Sequence, residues 1–162
     1  MVAPQPTEPS AALPVEPPSP EEVWGLLPIE QPAVAISPRV KGLVGFETWL
    51  WHEGDTELRL PEPLPLGEWR IDVNAKAVHY RWDMGDGGTV DGDQPGADGQ
   101  PTDTYAYQYP CTCQVTATVT WAGSYTVTGP GVGPVTIDLG TREFTGPPLA
   151  YPVREVQAVI VG

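Results

Sequence analysis

Six aspartates fall between residues 83 and 103: Asp83, Asp86, Asp91, Asp93, Asp98 and Asp103. Calcium takes roughly six to eight oxygen ligands, and clustered carboxylates supply such oxygens. Asp83, Asp86, Asp91 and Asp93 are therefore the candidate metal ligands. The EF-hand pattern is not met, because Asp91-Gly92-Asp93 continues into Gln94-Pro95 with no third ligand and no distal glutamate in place. The Gly-Gly-x-Gly-x-Asp repeat is absent as well. A solvated acidic loop is the expectation, with calcium the one ion these residues would suit and no other cofactor implied.

Cys111 and Cys113 are the only cysteines. On an extended strand their Cα atoms would lie about 6.5–7 Å apart, at the outer limit for a disulfide. A bridge therefore requires the chain to bend, and Pro110 stands where such a bend would start. A strained local disulfide or a free pair comes ahead of zinc, since His52 and His79 have no spacing that recruits them as further ligands. For nucleophilic catalysis the residues are poorly stocked. Three of the four serines (Ser10, Ser19 and Ser37) lie in the proline-rich tail, and Ser124 is in no G-x-S-x-G elbow. Acids are plentiful, but a glycosidase-type carboxylate pair needs a cleft-forming insertion that this length leaves little room for. No catalytic residue is assigned. Trp49 and Trp51 share one face of a strand, an arrangement that stacks on sugar rings in some proteins and fills the core in more of them.

These residues need a scaffold, and composition narrows it. The formal charge of −13 denies phosphate backbones the Lys/Arg footprint that they require, so nucleic acid is excluded as a partner. No run approaches the ~18 apolar residues of a membrane helix, so a direct span is not expected. Met1 is followed by prolines and glutamates rather than a basic then apolar run, so no secretion signal is visible. Ten prolines precede Arg39, with no Lys or Arg among those residues. Each proline removes a backbone donor and fixes φ, which points to an extended, acidic tether over residues 1–38. Within it, Ser19-Pro20-Glu21-Glu22 reads as a capping box opening a short helix near 20–27, too short to persist unless Trp24 and the leucines dock. The packed domain is expected over 39–162.

From there the hydrophobic period is two. Trp69, Ile71, Val73, Ala75 and Ala77 alternate with polar residues; at Val78 the parity flips to Val78, Tyr80 and Trp82. Such a flip requires a turn or bulge near Lys76–Ala77, and two strands are read there. Val115, Ala117, Val119 and Trp121 form the inward face of a strand from Gln114 to Trp121. Further strands are expected over Leu43–His52, Ser124–Thr128, Val135–Leu139 and Val153–Val161, the last with Val156, Ala158 and Ile160 on one face. Turn chemistry separates them at Gly123, Gly129-Pro130-Gly131, Gly140 and Gly146-Pro147-Pro148. About seven short strands with regular turns indicate an all-β antiparallel sandwich.

The most specific string is Trp82-Asp83-Met84-Gly85-Asp86-Gly87-Gly88, a strand end running into a tight polar turn. It resembles the W-D-F-G-D-G string of PKD domains, with Met84 in place of Phe. Tyr107 and Pro110 match that family's Tyr and Pro, and Val115, Ala117 and Val119 its following strand. Departures stand at Tyr105, Cys111 and Cys113, where the family carries His, Gly and Tyr. Short strings around Leu43–Trp51 and Val153–Ala158 are similar to exported PKD-containing proteins of actinobacteria. The resemblance implies an Ig-like sandwich in an extracellular or cell-surface protein lacking its targeting segment here. It implies a non-catalytic spacer or adhesion unit with a protein partner in an envelope or surface assembly, and oligomer or filament formation is left open. The alternative is a carbohydrate- or calcium-binding accessory module.

Overall fold

A computed structural model of the chain describes residues 16–101 and 103–156. Strands dominate it. After α1 (Pro20–Leu26) come β1 (Ala35–Ser37), β2 (Gly42–Leu43), β3 (Glu47–Trp51), β4 (Leu64–Leu66), β5 (Trp69–Asp83), β6 (Thr89–Gly92), β7 (Asp103–Ala106), β8 (Cys111–Gly129), β9 (Val132–Thr145) and β10 (Leu149–Arg154). The smaller sheet has the order β1-β3-β7. The larger runs β2-β10-β8-β5-β4, with β6 also on β5 and β9 also on β8. The expectation of a wholly antiparallel arrangement is corrected at one place: β2 pairs with β10 in parallel. β10 begins at Leu149, far along the chain from β2, so no hairpin dictates an antiparallel match.

The alternating faces meet in one core. Ile71, Ala75, Tyr80 and Trp82 of β5 join Val115, Ala117, Val119, Trp121, Tyr125 and Val127 of β8, Tyr151 and Val153 of β10, and Ile36 and Leu50 of the smaller sheet. Each large side chain so buried contributes about 1.5–3 kcal/mol.

The parity flip at Val78 is absorbed without a turn. β5 is one strand of 15 residues, and its register against β8 shifts between Ala77 and His79. A single extra residue rotates the downstream half so that Tyr80 and Trp82 regain the core face. The reading of two strands is corrected accordingly. Gly123 does not end a strand either, because β8 continues to Gly129 and takes in the expected Ser124–Thr128 segment. Gly140 likewise sits within β9, where the register slips beside Gly123 and Ser124. Residues 42–51 divide into two strands at the Val44–Gly45 turn. β10 begins at Leu149, ahead of the expected Val153, and Val156 is exposed. Ala158 and Ile160 lie outside the described residues.

The boundary at Arg39 is also corrected. Residues 1–15 of the expected tether lie outside the described residues, but from Pro18 onward the segment is packed. Ser19 accepts from the Glu22 amide and Glu22 answers at the Ser19 amide, closing the capping box. The seven-residue helix then drives Val23 and Trp24 into the core. The Trp24 indole donates to the Leu139 carbonyl at 3.1 Å, its ring meets Phe144 edge-on, and the Tyr125 hydroxyl donates to the Pro18 carbonyl at 2.6 Å. Pro32 is buried with its carbonyl against Gly146, where a side chain has no room. β1 pairs with β3. Proline density reads as a tether only when no groove awaits the apolar residues between the prolines.

Trp24→Ala removes a buried ring and is expected to lower unfolding stability by about 3–5 kcal/mol in a denaturant titration. An unchanged midpoint would return residues 20–26 to the role of a free tether.

Candidate functional site

The turn after β5 is built from its own side chains. The Asp83 carboxylate accepts from the Gly85 amide at 3.0 Å, and the Asp86 carboxylate accepts from the Gly88 amide at 2.9 Å. The Met84 amide donates to the Gly88 carbonyl, closing the reversal. Met84 is fully buried, and its carbonyl accepts from the Tyr107 hydroxyl at 2.9 Å. The Tyr105 hydroxyl donates to the second Asp86 oxygen at 2.7 Å. Burial, then the hydrogen bond to Asp86, pushes the Tyr105 phenol up to about 12. The same burial, with the Asp86 charge, raises Tyr107 further. Both phenols stay neutral donors at any physiological pH. Tyr105 thus gives Asp86 a partner across 19 residues of sequence.

Gly85 and Gly87 take φ of 82° and 95°. The two glycines differ in their surroundings. A side chain at Gly85 would press on the backbone of Gln114 and the Cys113 Cβ, whereas one at Gly87 would meet nothing within 4 Å. The turn is therefore seated on the start of β8, where Cys111 and Cys113 are joined in a disulfide with Cα atoms 5.4 Å apart. That separation is shorter than ordinary strand spacing, which is the bend that the bridge requires. A loop of so few residues restrains little unfolded-chain entropy, on the order of 1.5 kcal/mol, so the bridge shapes local backbone more than it holds the fold together. Cys113 is buried among core residues, with Tyr151 opposite it on β10; Pro110 is exposed just before the strand. Val115 and Val119 lie in the core.

Asp91 and Asp93 are placed elsewhere, at the β5–β6 hairpin. His79 Nε2 contacts Asp91 at 2.9 Å and Nδ1 contacts Asp93 at 3.2 Å. Hydrogen bonding to Asp91 first, then to Asp93, raises the imidazole above its ordinary 6.5. This pairing was missed in the sequence, where His79 reads as a lone polar-face residue; it becomes visible only once the hairpin register sets Arg81 opposite Asp91. The four aspartates thus divide into two pairs with separate partners. Among the described residues, no three or more His, Cys, Asp or Glu side chains are grouped to hold a metal ion.

A cleft of about 460 Å³ lies between the segment from Pro28 to Pro32 and the loop from His52 to Arg59, over Val119 and Trp121. Glu30, Glu53, Asp55 and Glu57 line it; Arg59 does too, held to Glu57 at 2.8 Å. Burial lowers the His52 pKa, and its ring lies 5.2 Å from that of Tyr80. His52 is therefore a neutral ring at pH 7, half inside the structure. The aromatic row at Trp49 and Trp51 is not presented to solvent as a pair: Trp51 is buried and bonded to Glu53, and Trp49 is half-buried. No family model, curated protein or solved structure matches the chain. Among the described residues no helix is long and apolar enough to cross a membrane.

Gly85→Ala is expected to cost at least about 2 kcal/mol, because it combines left-handed backbone strain with a clash, while Gly87→Ala costs about 1 kcal/mol. Equal losses in chemical denaturation would show that the turn is not seated on β8. For His79 the folded value is the raised one. Its stabilising contribution is complete below the ordinary imidazole pKa and is lost as pH rises through the folded value. The melting-temperature difference between the parent and His79→Gln should be present near about pH 5.5 and gone by about pH 9. A difference that grows with pH would contradict the paired-carboxylate geometry.

Proposed function

We propose that the chain is a non-catalytic extracellular or cell-surface module, an Ig-like sandwich of PKD type that serves as spacer and protein-binding unit in an envelope or surface assembly. The observation that carries this reading is the use made of the Trp82–Gly88 string. Both carboxylates bond turn amides, Tyr107 and Tyr105 bond the turn in return, and Met84 fills the core. The most distinctive residues of the chain are thus consumed in building a fold. Two sheets around one core, rich in long-range pairing, suit a load-bearing spacer. The charge of −13 keeps such a surface soluble and apart from phosphate-rich partners.

Intact cells producing the chain provide the test. External protease should remove it without lysis, and surface cross-linking should join it to a defined envelope protein. Protection until lysis, or only free monomer after cross-linking, would overturn the reading. A melting temperature raised several degrees by millimolar calcium or by cell-wall glycan would instead identify a ligand-binding accessory module.

A further inference from the structure

One short run of chain grips the Asp83–Gly88 turn from two sides. Ahead of the disulfide, Tyr105 bonds Asp86 and Tyr107 bonds the Met84 carbonyl. Beyond it, a Cβ on Gly85 would lie 2.6 Å from the Gln114 carbonyl oxygen, 2.7 Å from the Gln114 amide nitrogen and 2.9 Å from the Cys113 Cβ. The Cys111–Cys113 bridge stands between these two grips and sets their spacing. It holds at 5.4 Å two Cα atoms that an extended strand would place about 1 Å further apart. The ladder on the β5 side does not impose that spacing, because β5 pairs with β8 only from Thr116 onward. Among the described residues, β10 is the one strand paired with residues 111–114. The bridge encloses a single residue, so opening it leaves β8 paired with β5 and β9 over the core. Cys113 is buried and Cys111 half-buried, which makes Cys111 the end that solvent reaches.

We infer that the Cys111–Cys113 disulfide is a redox switch for this turn: reduction by a dithiol lets residues 111–113 take strand spacing, puts the two grips out of step, and loosens the Asp83–Gly88 turn while the core stays folded. The exchange balances. One thiolate of the dithiol bonds to the Cys111 sulfur, and Cys113 leaves as a thiolate that takes up a proton. The second thiolate of the dithiol then bonds to the first sulfur and releases Cys111, which is protonated in turn. Two electrons pass to the cysteines and the dithiol becomes a disulfide. Oxidising surroundings keep the bridge closed and the turn seated; reducing ones release it. The switch belongs to the chain itself and does not depend on the surface-module reading.

Millimolar dithiothreitol applied to the folded full-length chain tests it. Thiols are counted by alkylation and mass spectrometry, and amide exchange is followed residue by residue by NMR. Two thiols should appear without denaturant. The amides of Met84, Gly85 and Gly88 should then exchange at least about tenfold faster while those of residues 119–127 keep their rates, and reoxidation should restore the slow turn. A double variant, Cys111→Ser with Cys113→Ser, should fold, show the fast turn amides from the start and give no response to dithiothreitol. Turn amides that exchange alike in both redox states, or stay slow in the double variant, overturn the switch. So does a bridge that opens only in denaturant, and so does a reduced or doubly substituted chain that unfolds throughout, since the bridge would then be a staple of the fold. External protease and cross-linking on cells report on the surface reading separately.

Discussion

Strand β8 runs through 19 residues, and every other strand of the larger sheet either pairs with it or pairs with a strand that does. Its inward side chains, from Val115 through Val127, occupy the middle of the core. One edge of β8 binds β5 from Thr116 to Thr128; the other is shared by β10 near the start of β8 and β9 beyond. A slip of one residue in β8 would turn Val115, Ala117, Val119 and Trp121 outward together. The Asp83–Gly88 turn, the disulfide and the groove for α1 all take their positions from this strand or its immediate neighbours. Their local chemistry is secondary to its register.

Much of this was legible from residues alone, where one physical cause acted. Period-two alternation over Trp69–Ala77 and Gln114–Trp121 identified the faces correctly, because each face meets a single dry core. The flip at Val78 marked an irregularity in the ladder, but it is a register shift inside one strand rather than the boundary between the two strands read there. Glycines misled where local turn preference competed with a long partner strand: Gly123 and Gly140 lie within strands, since continuous pairing outweighs their readiness to turn. The capping box at Ser19 was readable from spacing. The docking of Trp24 was not, because its acceptor, the Leu139 carbonyl, lies 115 residues away.

The side chains of the candidate site divide along the same line. Asp83 and Asp86 cap amides two residues on, an Asx geometry that belongs to sequence. Tyr105 reaching Asp86, and His79 held between Asp91 and Asp93, depend on a register set by distant strands. An acidic run that looked like one cluster is therefore two sets of partnered carboxylates, one fixing a turn and one clasping a hairpin. Proline content behaved similarly. It describes backbone stiffness well, yet the Val23–Trp24 pair lying between prolines decides that the segment from Pro18 is packed.

Native-state hydrogen exchange tests the central position of β8 most directly. Amides of residues 115–127, with their partners on β5, should exchange only through global unfolding and be the slowest of the molecule, while those of the Gly96–Gln100 turn exchange through local opening. Rapid exchange along β8, at rates comparable to that turn, would contradict a fold organised around this strand.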